Sequence, residues 1–179
     1  DWRGLPAPED TQMGSRFWEV EDRLIELDPL GDEWRIHVQP VEGHEYIIAT
    51  DSSSGDTNGD YSGIRVFDRH EREFVATYYG HIPPDILGEQ AVIAARKYNG
   101  AYIICEANNH GYATVNAIIG TGYRHLHRRS SSRSVRAGGT WVNTYGEFLD
   151  GKLRQLLVDT LAIAINSRSF REYDQRFLY

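Results

Sequence analysis

The chain has 179 residues, 40% hydrophobic and 25% charged, which suits one globular domain with an appendage. A net charge of −7 argues against a simple electrostatic nucleic-acid binder, which would be basic overall. The single cysteine excludes an internal disulfide framework and suits a reducing compartment. No stretch reaches the roughly 18 apolar residues of a membrane span. The opening DWRGLPAPED lacks the basic-then-apolar order of a secretory leader, so the chain is not expected to be secreted. With no initiating Met, it is expected to be a fragment of a longer protein.

Residues 1–40 mix Pro, Gly, Asp and Glu around Phe17, Trp18 and Trp34. They are expected to form a lead-in with little regular structure that docks on something else, and residues 41–179 the folded domain. EYIIAT (45–50) is a short run of β-formers that ends in Asp51, and the following SSSGDTNGD is dense in turn residues. YSGIRVFD (61–68) and EFVATYYG (73–80) alternate like strands, with DRHER as the turn between them. HIPPDILGEQAVIAARKYNG predicts a helix opened by Pro83 and Pro84 and stopped near Gly100. AYIICE (101–106) predicts a buried strand ending in an acid. ATVNAIIGTG predicts a second helix, YRHLH a strand, RRSSSRSVRAGGTWV a polar hairpin, and LVDTLAIAINSR (157–168) a third helix. The order β-β-β-α-β-α-β-α implies an α/β fold, a mixed central sheet with helices on both faces.

Asp51 and Glu106 each end an apolar strand and precede a loop. In open α/β sheets, sites gather beyond the carboxyl ends of strands. Two adjacent carboxylates repel, so a structure that keeps them has a use for them: a shared proton or a divalent cation. The bland alternative is that each is solvated or caps the next helix. Oxygen-only ligands suit Mg²⁺ or Mn²⁺. Asp51 opens the Gly- and Ser-rich loop DSSSGDTNGDYSG, which includes Asp60 and lets a substrate approach the backbone. Glu106 opens EANNHG, whose Asn109 and His110 stand before a helix start, where polar groups can meet phosphate. Arg124, Arg128, Arg129, Arg133 and Arg136 lie in an acid-free stretch from Tyr123 to Gly139. They form either a solvated loop or a phosphate-binding track. His125 and His127 share a strand face without a third nitrogen or sulfur ligand at zinc spacing. Cys105 points away from Glu106 and is expected to be a buried structural thiol.

WRIHVQPVEGHEYIIATDSSSGDTNGDYSGIRVFD resembles the opening of the nuclease domain of large terminase subunits from tailed phages. AYIICEANNHGYATVNAIIGTGYRHLH resembles that family's second acidic motif, GGTWVNT its Gly-Trp-x-Thr stretch, and LVDTLAIAI its final helix. The resemblance runs from about residue 34 to 168. It implies an RNase H-like fold, with Asp51 and Glu106 as metal ligands and Asp60 as an accessory acid. It also implies an ATPase domain of the same polypeptide on the N-terminal side, and double-stranded DNA, the small terminase subunit and the portal protein as partners. The location would be the host cytoplasm, at the procapsid portal. No GxxxxGK[ST] phosphate loop occurs, so no ATPase activity is expected here. The family's third metal acid stands just before its final helix, where this chain has Arg154, Gln155 and Leu156. Either a stretch near Leu156–Leu157 is missing from the sequence, or Asp159 serves, ahead of Asp150.

The expected chemistry is phosphodiester hydrolysis by two Mg²⁺ or Mn²⁺ ions, with Asp51 bridging them and Glu106 and Asp159 holding one each. The arginines would grip the duplex without reading sequence. The alternatives are another RNase H-like nuclease (a Holliday-junction resolvase or a hybrid ribonuclease) and a non-catalytic docking module lacking the third acid.

Overall fold

The computed structural model describes residues 12–13, 17–20, 23–26, 33–129, 145–174 and 176. The strands are β1 (Gln12–Met13), β2 (Phe17–Val20), β3 (Arg23–Glu26), β4 (Glu33–Ile36), β5 (Tyr46–Asp51), β6 (Ser62–Asp68), β7 (Glu73–Gly80) and β8 (Tyr102–Cys105). The helices are α1 (Pro84–Lys97), α2 (Gly111–Gly120) and α3 (Gly151–Asn166). Six strands form one sheet in the order β1-β4-β7-β6-β5-β8, and β2 pairs with β3 apart from it. Within the sheet β5 and β8 run parallel and the other neighbours antiparallel. The fold is therefore α/β with a mixed sheet, as the element order predicts.

Alternation decides the two faces. Trp34 lies opposite Tyr78, Tyr78 opposite Ile64, Ile64 opposite Thr50, and Thr50 opposite Cys105. Laterally paired residues share a face, and every residue in this row is buried. α1 packs over that face through Leu87, Gln90, Ala91 and Ala94. α2 lies against α1 at Gly88, where an added Cβ would come within 2.6 Å of the Thr114 carbonyl, and Thr114 Oγ1 donates to the Pro84 carbonyl at 2.8 Å. The opposite face carries Arg65 and Arg35, which pair with Glu172 and Asp174 of the C-terminal segment. That segment is tied to the edge of β7 by Phe74 N–H donating to the Arg171 carbonyl at 3.0 Å.

Three expectations change. Glu33–Ile36 lies within the segment read as an irregular lead-in, yet it pairs with β7. Its Trp34 has no exposed surface, stacks obliquely on Tyr78 at 5.6 Å, and donates Nε1–H to Gln90 Oε1 at 3.3 Å. Among the described residues the run YRHLH makes one isolated bridge, Leu126 to Ile103, in place of a strand, and Arg128 just beyond it bridges Tyr145. α3 begins six residues before the expected Leu157, because Asp150 caps it by accepting from Leu153 N–H at 2.8 Å. None of its residues is buried, and Leu156, Leu157, Val158, Leu161, Ile163 and Ile165 are exposed.

Trp34→Ala is expected to destabilise the domain by about 3–5 kcal/mol, the usual cost of deleting a buried aromatic, and also strands the buried Gln90. Urea unfolding followed by circular dichroism measures this. A cost below about 1 kcal/mol would mean that β4 is dispensable to the sheet.

Candidate active site

The site is assembled by strand register. Parallel pairing sets Thr50 beside Cys105, so one residue further Asp51 and Glu106 stand level at the carboxyl ends of β5 and β8. Glu106 N–H donates to the Thr50 carbonyl at 3.2 Å. Both side chains fall on the face opposite Cys105, whose thiol is fully buried and pushed up to about 12 by that burial. Asp51 is exposed and Glu106 half-buried.

A third acid joins the row from an unexpected place. Glu147 bridges Glu106 in parallel: its N–H donates to the Cys105 carbonyl at 2.7 Å, and Ala107 N–H donates to the Glu147 carbonyl at 2.7 Å. Lateral pairing puts Glu147 on the face of Glu106. Its Oε2 lies 2.9 Å from His127 Nε2, and its Oε1 accepts from Phe148 N–H at 3.2 Å. Gly146 permits this approach. It has φ +76°, and an added Cβ would stand 2.9 Å from the Cys105 carbonyl oxygen.

Glu106 is also met by a cation. Arg154, in the first turn of α3, donates Nη2–H to Glu106 Oε1 at 3.3 Å. Asn108 holds the approach to that helix by a two-point contact, its Nδ2 donating to the Leu149 carbonyl at 2.9 Å and its Oδ1 accepting from Leu149 N–H at 3.0 Å. Burial first, and then the charge of Asp51, raise the Glu106 pKa above its ordinary value; Arg154 opposes them without prevailing. α2 starts immediately behind, and Gly111 is required there because an added Cβ would lie 1.8 Å from the Glu106 carbonyl oxygen.

The remaining expected residues distribute unevenly. Asp60 is exposed in the loop between β5 and β6, and no described contact joins it to Asp51 or Glu106. That loop is pinned at its base by Ser53 Oγ to Ser62 Oγ at 3.0 Å and by Ser52 Oγ to Thr114 Oγ1 at 2.7 Å. Asn109 (φ +47°) and His110 are exposed at the start of α2. Asp159 is not brought to the acid row by any described contact. It is exposed on α3 and accepts from Gln155 Nε2 at 2.9 Å, because a helix left uncovered gives its acid water and a neighbour one turn back. Asp150 is occupied as the α3 cap. Arg124 and Arg128 are exposed and Arg129 half-buried; the Arg128 guanidinium lies 4.9 Å from the Tyr145 ring centroid and that of Arg129 5.9 Å from Phe148. Arg133, Arg136 and the GGTWVNT stretch lie outside the described residues. Glu147 escaped sequence reasoning, since nothing in YGEFLD marks it as a neighbour of Glu106. An open cavity of about 400 Å³ lined by His44, Tyr46, Asn99, Tyr102 and His125 lies at the other end of β5 and takes no part in this row.

No family model matches the sequence, and no curated protein matches it. Solved structures do. The large terminase nuclease from thermophilic phage G20c with bound magnesium superposes with a TM-score of 0.61 at 14% identity, over 80% of this chain and 65% of that one. The same nuclease with bound cobalt gives 0.59 at 13% identity, over 78% and 63%. The large terminase nuclease domain of Thermus phage P74-26 gives 0.57 at 14% identity, over 80% and 63%. This chain thus spans about two thirds of the length of each neighbour or slightly less. It has the RNase H-like fold of these nuclease domains, and the resemblance read from the sequence holds at the level of fold.

A folded-state pKa above the unfolded value means that ionised Glu106 costs stability. The cost is absent at acid pH and sets in as pH rises through the carboxylate range. Metal-free Glu106→Gln is therefore expected to melt higher than wild type near neutral pH, with the difference vanishing at acid pH. A lower Tm for the variant near neutral pH would mean that the Arg154 pair outweighs the repulsion.

Proposed function

We propose that this chain is a divalent-metal-dependent endonuclease domain that cuts double-stranded viral DNA, as concatemers, at the start and end of genome packaging. One observation carries the reading: Asp51 and Glu106 stand level at the ends of parallel strands, in a fold shared with terminase nucleases, one of which holds magnesium or cobalt.

The residues present fit such metals. Asp51 and Glu106 stand level at the strand ends, with Glu147 paired beside Glu106 on the same face, and such oxygen donors suit Mg²⁺ or Mn²⁺. Glu106, whose ionised form burial and then Asp51 disfavour, gains from a nearby cation. Asp51 and Glu106 would hold two ions, with Glu147 in the place expected for Asp159, and Asp60 as an accessory acid. When bound, the ions supply charge neutralisation at the scissile phosphate and a bound water of lowered pKa.

The chain's own residues do the positioning. His127 holds the Glu147 carboxylate in orientation. Asn109, His110 and the start of α2 offer donors to a phosphate beside Glu106. Arg124, Arg128, Arg129, Arg133 and Arg136 would grip the duplex backbone without reading bases. Arg154 is placed to move from Glu106 to a substrate phosphate. Placement of the cut would then come from partners: an ATPase domain of the same polypeptide, the small terminase subunit and the portal protein, at the procapsid in the host cytoplasm. No helix among the described residues is long and apolar enough to cross a membrane. No ATPase activity belongs to this segment on this reading.

The Arg154–Glu106 pair favours one competing reading, a docking module whose acid row is neutralised internally and which cuts nothing. Incubation of supercoiled plasmid with Mg²⁺, Mn²⁺ or EDTA separates the two. Metal-dependent conversion to linear and then smeared products, lost in Asp51→Ala and in Glu106→Ala, is the expected result. An intact plasmid with folded protein and millimolar Mn²⁺ would favour the docking module, and cleavage confined to four-way junctions or hybrids a different RNase H-like nuclease.

Within the same assay, Glu147→Gln is expected to lower cleavage at limiting Mn²⁺, whereas Asp159→Ala leaves it unchanged. The reverse pattern would return the third ligand to Asp159.

A further inference from the structure

The other end of β5 carries a second cluster of ligating side chains. His44 sits just before β5, and His70 and Glu71 lie in the turn between β6 and β7. One ligand atom from each lies within 4.8 Å of the other two, and the His44 and His70 rings stack at 4.5 Å with 23° between their planes.

Behind them stands Asp68, 1% exposed. Its Oδ1 accepts from His70 N–H at 2.7 Å and Glu71 N–H at 3.2 Å, which is what a tight turn asks of an aspartate. Its Oδ2 does something that the turn does not need: it lies 2.8 Å from His44 Nδ1. A carboxylate there can accept a hydrogen bond from Nδ1–H and leave Nε2 to ligate, the arrangement that orients imidazole in metal sites. The His44 backbone is held as well, its carbonyl accepting from Asn99 Nδ2 at 3.1 Å. One imidazole is thus fixed, while His70 and Glu71 are exposed and free to rotate onto a shared ion, which would bring ligand atoms to about 3.3 Å apart at tetrahedral zinc–nitrogen distances.

Two nitrogens and one carboxylate oxygen make a borderline-soft donor set, unlike the oxygen-only row at Asp51. We propose that His44, His70 and Glu71 bind one Zn²⁺ ion, with Asp68 orienting His44 and water completing the shell. The ion would add to the contacts that already tie the segment before β5 to the β6–β7 turn: the His44–Asp68 contact and His44–His70 stack, Arg69 N–H to the Glu45 carbonyl at 3.0 Å, and the exposed Arg69–Glu45 ion pair. The site is structural and lies outside the acid row, so it stands or falls independently of nuclease activity.

The test is Zn²⁺ titration of the whole chain by calorimetry, with Tm measured alongside, in the Asp51→Ala/Glu106→Ala background. One equivalent should still bind there and raise the Tm. Adding His70→Ala should remove both the binding and the rise while leaving the metal-free Tm and circular dichroism unchanged, since His70 is exposed. Glu71→Gln should weaken binding, and Asp68→Asn should weaken it about 10- to 100-fold, the usual effect of losing a carboxylate behind a ligating histidine. The proposal is overturned if no equivalent survives in the Asp51→Ala/Glu106→Ala background, or if the surviving equivalent is indifferent to His70→Ala.

Discussion

The acid row depends on the parallel pairing of β5 with β8. That register places Asp51 beside Glu106, and electrostatics alone would push them apart. The pairing is held by what lies behind it: Ile48 opposite Ile103 and Thr50 opposite Cys105, all buried beneath the helices. A slip of one residue would turn this apolar set toward water and the acids toward the core, so hydrophobic burial enforces the close approach of like charges. Arg154 offsets part of the repulsion without cancelling it, and Glu106 keeps a raised pKa.

Around that pair the backbone is drawn tight by residues chosen for absence of bulk. Gly111 lets α2 start against the Glu106 carbonyl, and Gly146 lets the segment carrying Glu147 lie along the edge beyond β8. Asn108 then fastens the same loop to the approach of α3. Helix start, acid row and α3 are therefore linked by short contacts, and a change in one is felt by the others. The overall charge of −7 does not bar the proposed DNA substrate, because cations would cover the acids at the strand ends and arginines collect in the acid-free stretch that follows α2.

The two ends of β5 differ in chemistry for a simple reason of placement. The carboxyl end gathers acids from β5, from the end of β8 and from the segment at Glu147. The amino end meets a hairpin turn that brings histidines beside a buried aspartate. Oxygen donors on one side and nitrogen donors on the other select different ions, so on the proposed readings a single strand would join two metal sites of different kinds.

Local patterns made much of this legible. A run of β-formers marked β5, alternation marked β6 and β7, the proline start marked α1, and acids at strand ends singled out Asp51 and Glu106, because these signals depend on neighbours along the chain. Trp34 was misplaced because its four-residue strand carries no periodicity, and only pairing with β7 shows that it belongs to the core. Glu147 could not be read at all, since its place beside Glu106 comes from lateral pairing between residues 41 positions apart. Asp159 drew attention as an acid in an apolar run, which presumes burial that α3 does not have. The sequence by itself determined β5 to β8, α1 and α2 and the acids at the ends of β5 and β8, whose signals are local. Tertiary structure alone decided which acids would be neighbours, because register and packing join distant residues through contacts that no local pattern encodes.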